Sequence, residues 1–237
     1  MSHTPEEAVS YATWWVRDVL EPKEPVYLIR RAEAPHLFHQ WATVAVAHTV
    51  STQRSDVRSF LDAAGRWRGH GFACVIDLGR LRESVLLADC RDLLLHEYGH
   101  HLLIAERPAP DAPSDLPAAD AAEVESYRGL YDLATTTTCP WFNHEADFVR
   151  IMLHCWHRSW VRRRPLEARN VWAAGPAYGL APIGDYLRVL WPTGDLQRHE
   201  RTPLEEIAQT PIPLVFEDFS QADCERYKQA HHDEFSR

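Results

Sequence analysis

No stretch of the 237-residue chain approaches the roughly 20 consecutive apolar residues that a membrane span requires, so no membrane partner is expected. Cysteine is scarce. The five residues, at positions 74, 90, 139, 155 and 224, form neither paired zinc spacings nor a dense disulfide framework, and their odd number fits a reducing compartment. The opening MSHTPEEAVSYATWWVRDVL places acidic residues where a secretory leader needs positive charge, and it lacks a sustained apolar core. A cytoplasmic protein is the expectation. Positive charge is also short: Lys and Arg number 25 against 34 Asp and Glu, a net charge of −9, which argues against a nucleic-acid partner. The single basic cluster, Arg162 to Arg164, is read as a solvated helix end. Internal repeats are missing, and the sequence sets no oligomeric state.

What is present suits one folded unit, because 45% hydrophobic and 25% charged residues are ordinary globular usage. Thr4, Pro5, Glu6 and Glu7 read as a capped helix start, with the helix running to about Leu20 before Pro22. PVYLIR reads as a strand, residues 35–50 and 55–67 as helices, and FACVIDL as a short buried strand. From Ser84 to Glu106, leucines fall on every side of the helical wheel, which predicts a buried helix. The proline-rich run RPAPDAPSDLPAAD follows as an exposed loop. Helical periodicity resumes over residues 119–134 and 143–163, and a last helix is expected from about Ser220 to Phe235.

Inside the buried helix, His96-Glu97-Tyr98-Gly99-His100 sets two imidazoles four residues apart. On a helix they share a face and can grip one metal ion, with Glu97 beside them as a base. No charge other than Glu97 interrupts Leu93 to Ile104, so these polar groups would be costly to bury without a partner. The matching cofactor is Zn2+, which favours imidazole and carboxylate ligands.

LLLHEYGHHLL resembles the zincin metallopeptidases, whose pattern surrounds the two histidines with uncharged and apolar residues; His101 departs from it mildly. The resemblance spans about residues 71 to 160 and implies hydrolysis of peptide or protein substrates with Glu97 as general base. It also implies that a strand shortly before the helix binds extended substrate, a place FACVIDL occupies. The expected fold class is therefore α+β, a mainly helical zincin-like fold with a small β-sheet and a buried HExxH active-site helix. It would form a single domain over 1–237, with an N-terminal helical part to residue 70, a metal-binding core over 71–164 and a C-terminal part from 165.

A catalytic zinc needs a third protein ligand and an open position. HHLLIAERPAP carries no third histidine soon after His100, so the ligand comes from further along. With 143–163 as a helix, Glu145 shares a stripe with Phe148, Val149, Met152, Trp156 and Trp160, and a carboxylate on an apolar face asks for a cation. Asp147, Arg150, His154 and Arg158 fall on the opposite side, which demotes Asp147 and His154. Glu123, Glu125 and His144 remain alternatives. HEADFVRIML is similar to the segment after the active helix in gluzincins that cleave phage repressors or stress regulators, which favours Glu145. Tyr178, in GPAYGLAP, is the candidate donor to the oxyanion, ahead of His157. Two rival readings are a zinc-stabilised binding or regulatory module with little turnover, and a metal-dependent hydrolase acting on another bond. Glu97 speaks against the first, since a structural zinc has no use for a base.

Overall fold

The computed structural model describes residues 3–37, 47–81, 86–104, 145–166, 181 and 183–230. Helix α1 spans Pro5–Leu20 and begins as its sequence predicts: Thr4 accepts from the Glu7 backbone, Glu7 accepts from the Thr4 backbone, and Pro5 stands at the first helical position. The helix stops at Glu21, which takes a left-handed conformation with φ 51°. Strand β1 is Val26–Arg30, β2 is Ala47–Ser51 and β3 is Phe72–Ile76, with helix α2 at Ser55–Ala63 between the last two. Helix α3 is Leu86–Ile104 and helix α4 is Ala146–Val161. Beyond them come α5 (Ile183–Leu190), α6 (Asp195–Arg198), α7 (Leu204–Ile207) and α8 (Leu214–Ala230).

The three strands lie in the order β1-β3-β2, with β1 parallel and β2 antiparallel to β3. Alternation along the strands gives the sheet two apolar faces. Val26, Leu28, Ala47, Phe72, Cys74 and Ile76 pack with α1, α3 and α4. Tyr27, Ile29, Val50, Ala73 and Val75 turn instead to Val57 and Leu61 of α2. The result is a layered α+β unit, helices on both sides of a small mixed sheet. A third apolar cluster joins Val149 and Leu153 of α4 to Tyr186, Leu190 and Phe216. No helix among the described residues is long and apolar enough to cross a membrane. No disulfide forms among the described cysteines, Cys74, Cys90, Cys155 and Cys224.

Several expectations need correction. Residues 35–50 do not form one helix: Pro35–Leu37 is a single 3-10 turn, and Ala47–Ser51 is β2. The β-branched Thr49 and Val50 suit a pleated surface, and the long-range pairing with β3 decides the outcome over local pattern. Helix α2 ends at Ala63, short of Trp67, and the chain turns at Gly65 with φ 64°. FACVI forms the central strand and is paired on both sides, so it has no free edge for a substrate strand. Helix α8 starts at Leu214, ahead of the expected Ser220. The proline-rich run, the helix over 119–134 and the GPAYGLAP loop, apart from Ala181, lie outside the described residues.

Candidate metal centre

Helix α3 is enclosed as its all-round leucines require. From Leu87 to Leu103 none of its residues is exposed, and Leu94 and Leu95 are fully buried. Helix α1 covers one flank and the sheet another. Replacing one such leucine by alanine would cost about 2–5 kcal/mol. Against this apolar background the two histidines converge: their Nε2 atoms stand 3.1 Å apart, with the rings nearly perpendicular at 81°. Two nitrogens sharing one proton keep that distance. Two ligands of a tetrahedral ion, at about 2.0–2.1 Å from the metal, lie roughly 3.4 Å from each other, a few tenths of an ångström further apart. The donor set and its spacing therefore fit zinc with little rearrangement.

Helix α4 forms the adjoining wall. Phe148 stacks on His100, with ring centres 4.5 Å apart at 26°, and meets His96 edge-on at 5.1 Å. Gly99 permits this approach. A Cβ there would fall 2.3 Å from Met152 Cε and 3.1 Å from Phe148 Cε2. The glycine inside the histidine motif thus sets how closely the Phe148 ring reaches the imidazoles.

Glu97 points towards β2, where Thr49 Oγ1 donates to Glu97 Oε2 at 3.1 Å. Although Glu97 keeps part of its surface, burial desolvates the carboxyl and pushes it up to about 7, opposed by the Thr49 hydrogen bond that favours the ionised form. Sequence pattern does not point to Thr49, because residues 35–50 read as helix. The residues that face away from the site hold α3 in place. Tyr98 donates to Glu205 Oε1 at 2.9 Å, which also accepts from the Lys23 backbone at 2.9 Å. His101 packs against Phe72 and Tyr98, with Glu24 3.4 Å from its Nε2, so it does not join the pair formed by His96 and His100.

Glu145 occupies the N-cap position of α4, is exposed, and makes no side-chain capping hydrogen bond. The helix was expected from residue 143, but it begins at Ala146 and Glu145 has extended backbone, so the helical stripe shared with Phe148 does not extend to its side chain. Among the described residues no group of three His, Cys, Asp or Glu converges to hold an ion, so Glu145 does not close the set with His96 and His100 in this structure. Glu123, Glu125, His144 and Tyr178 lie outside the described residues.

The opposite side of α4 is not the solvated face that its charges suggest. Arg150 and His154 are buried against Asp195, whose two carboxylate oxygens accept from Arg150 Nε at 2.8 Å and Nη2 at 2.9 Å. His154 Nε2 lies 2.9 Å from the same carboxylate, which accounts for this histidine without a metal. Burial lowers His154 to about 4, and its partners hold Asp195 well below the usual carboxylate range despite its burial. Asp195, invisible to the wheel of α4 alone, is the residue that this side requires. His157 packs edge-on to Trp191 and stands 3.8 Å from Glu200, away from the imidazole pair. Trp160, expected on the apolar stripe, is 55% exposed. Compared with known proteins, the chain matches no family model, no curated protein and no solved structure.

Proposed function

We propose that the chain is a zinc-dependent peptidase of zincin-like organisation, with His96 and His100 as zinc ligands, Glu97 as general base and Glu145 as the third protein ligand. The observation that carries this reading is the 3.1 Å approach of the two imidazole Nε2 atoms on an enclosed helix, next to a carboxylate fixed by Thr49. Bound zinc supplies Lewis acidity, acidifying water and polarising a carbonyl. The chain's own residues do the rest. Thr49 holds Glu97 Oε2, so Oε1 is the oxygen left to take a proton and pass it to the leaving amine. Phe148 excludes water from one flank of the imidazoles. Tyr178 remains the candidate oxyanion donor.

The strand that serves an extended substrate is β2 rather than β3. Phe72 N donates to Pro25 O, and Arg31 N donates to Ile76 O. Phe72, Cys74 and Ile76 therefore direct their backbone groups to β1, while Ala73 and Val75 direct theirs to β2. Across the antiparallel ladder, His48 and Val50 face β3, which leaves the backbone groups of Ala47, Thr49 and Ser51 on the outer edge. An extended peptide added there would run past Thr49, whose hydroxyl reaches Glu97. The test is metal content with activity: about one zinc per purified chain, and peptide cleavage abolished by a chelator and restored by zinc. A protein that neither carries nor takes up zinc would remove the basis of this reading.

A further inference from the structure

The other edge of the sheet carries a second feature, separate from the metal-binding helix. A cleft of about 730 Å³, open to solvent, lies between α1, the outer edge of β1 and the loop after α2. Three guanidinium groups line it, from Arg17, Arg66 and Arg68, against one carboxylate, from Asp18. This is a local excess of positive charge on a chain of net charge −9.

The arginines are held by backbone. Since Pro25 O accepts from Phe72 N and Arg31 N donates to Ile76 O, Val26 and Leu28 direct their carbonyls away from β3. Arg17 Nη2 donates to Val26 O at 2.9 Å, and Arg66 Nη2 donates to Leu28 O. Arg68 Nη1 donates to the carbonyls of Gly65 and Trp67 at 3.1 and 2.7 Å. Among the described residues, Arg66 is the one of the three with an ion pair, to Glu33 at 3.7 Å. A guanidinium has five N–H donors, so each of the three keeps donors for a ligand after these bonds. The carbonyls fix the side chains, which lowers the entropic cost of binding through them.

Trp14 adds a flat apolar surface to the same wall. Trp14 is 43% exposed, and the guanidinium of Arg164 lies 5.2 Å from the ring centre. The volume falls within the range of small-molecule sites and exceeds what a single inorganic ion needs.

We propose that this cleft binds a small oxyanion, phosphate or polycarboxylate, attached to a planar ring, with Arg17, Arg66 and Arg68 on the anion and Trp14 against the ring. Binding is measured by calorimetry at low salt on the full chain with phenyl phosphate, benzene-1,3,5-tricarboxylate, inorganic phosphate and cyclohexyl phosphate. The expected result is a ring-bearing anion bound with Kd below about 1 mM, and at least about tenfold tighter than inorganic or cyclohexyl phosphate. Arg68→Gln, whose loss touches only loop carbonyls, should weaken it at least about tenfold, as removal of a charged hydrogen bond does. Arg17→Gln should act in the same direction, and Arg68→Gln decides the matter if Arg17→Gln fails to fold. Failure of every probe to bind below about 10 mM overturns the proposal, as does equal affinity in wild type and Arg68→Gln. Tighter binding of inorganic or cyclohexyl phosphate overturns the assignment of Trp14. None of these readings depends on zinc or peptidase activity.

Discussion

The hydroxyl of Thr49 donates to Glu97 Oε2 across 3.1 Å, joining β2, an edge strand among the described residues, to the helix that carries both imidazoles. In the proposed mechanism one residue takes two jobs: its backbone faces the edge where a peptide would lie, and its side chain orients Glu97. Thr49→Val keeps the strand and removes the orienting bond. Peptide cleavage should fall about 10- to 100-fold in kcat, the range expected for a hydrogen bond to a charged group, with zinc content unchanged. Thr49→Ser should recover most of the loss. Kinetics on one identified cleavable peptide check this, and an unchanged kcat in Thr49→Val would remove Thr49 from the mechanism.

Gly99 governs the contact of α3 with α4, since an added Cβ would meet the buried tip of Met152 at 2.3 Å. Alanine improves helix propensity by up to about 1 kcal/mol, yet overpacking a closed core costs about 1–3 kcal/mol. Gly99→Ala should therefore destabilise in net terms. In a Met152→Ala background the same methyl should be neutral or stabilising. A double-mutant cycle by denaturant unfolding reads the coupling; additive effects would mean that the two helices do not press on each other at this point.

The two carboxylates that flank α4 should separate by phenotype. Glu145→Ala is expected to weaken zinc retention in a chelator competition while leaving the unfolding midpoint nearly unchanged, because Glu145 is exposed and makes no capping bond. Asp195→Asn should do the reverse, costing about 3–5 kcal/mol by leaving Arg150 buried without its counter-charge. Zinc loss in a variant at Glu123, Glu125 or His144, with Glu145→Ala unaffected, would move the third ligand to that residue.

The same buried cluster predicts acid lability. His154 is neutral in the fold, lowered to about 4, whereas the unfolded chain protonates it near the ordinary value of 6.5. Its contribution is complete above about pH 6.5 and falls by up to about 1.4 kcal/mol per pH unit as the pH drops towards 4. Asp195, depressed by His154 and Arg150, extends the loss below the ordinary carboxylate value of 3.8. Unfolding midpoints measured from pH 7 to 4 should show this slope, and His154→Gln should flatten it between pH 6.5 and 4. A slope unchanged in that variant would place the acid sensitivity elsewhere.

Much of the fold is legible in the sequence alone, and the gaps have physical causes. The capping box at Thr4, the enclosed helix around His96 and the helix ahead of Arg162 each rest on local pattern, and the structure contains all three. Strand β2 escapes such a reading because AHTVS is short and follows a run whose apolar spacing also suits a helix; its pairing with β3 is non-local. Thr49 is hidden for the same reason. The polar side of α4 looks solvated on a helical wheel because the wheel cannot show Asp195, 45 residues beyond Arg150, as the group that neutralises it. Convergence of His96 and His100 follows from their spacing alone, whereas a third ligand depends on how distant segments meet.

The central claim is that Glu97 moves a proton and does not hold the metal. Glu97→Gln keeps the side chain's size and removes its ability to accept that proton. Wild type and variant, matched for zinc content and folding, are compared on a mixed peptide library read by mass spectrometry. The variant should hold as much zinc as wild type while cleavage of every wild-type substrate falls at least about 100-fold, the lower bound for loss of a general base. Equal cleavage by both proteins, or a zinc-loaded wild type that cleaves nothing, would contradict the account.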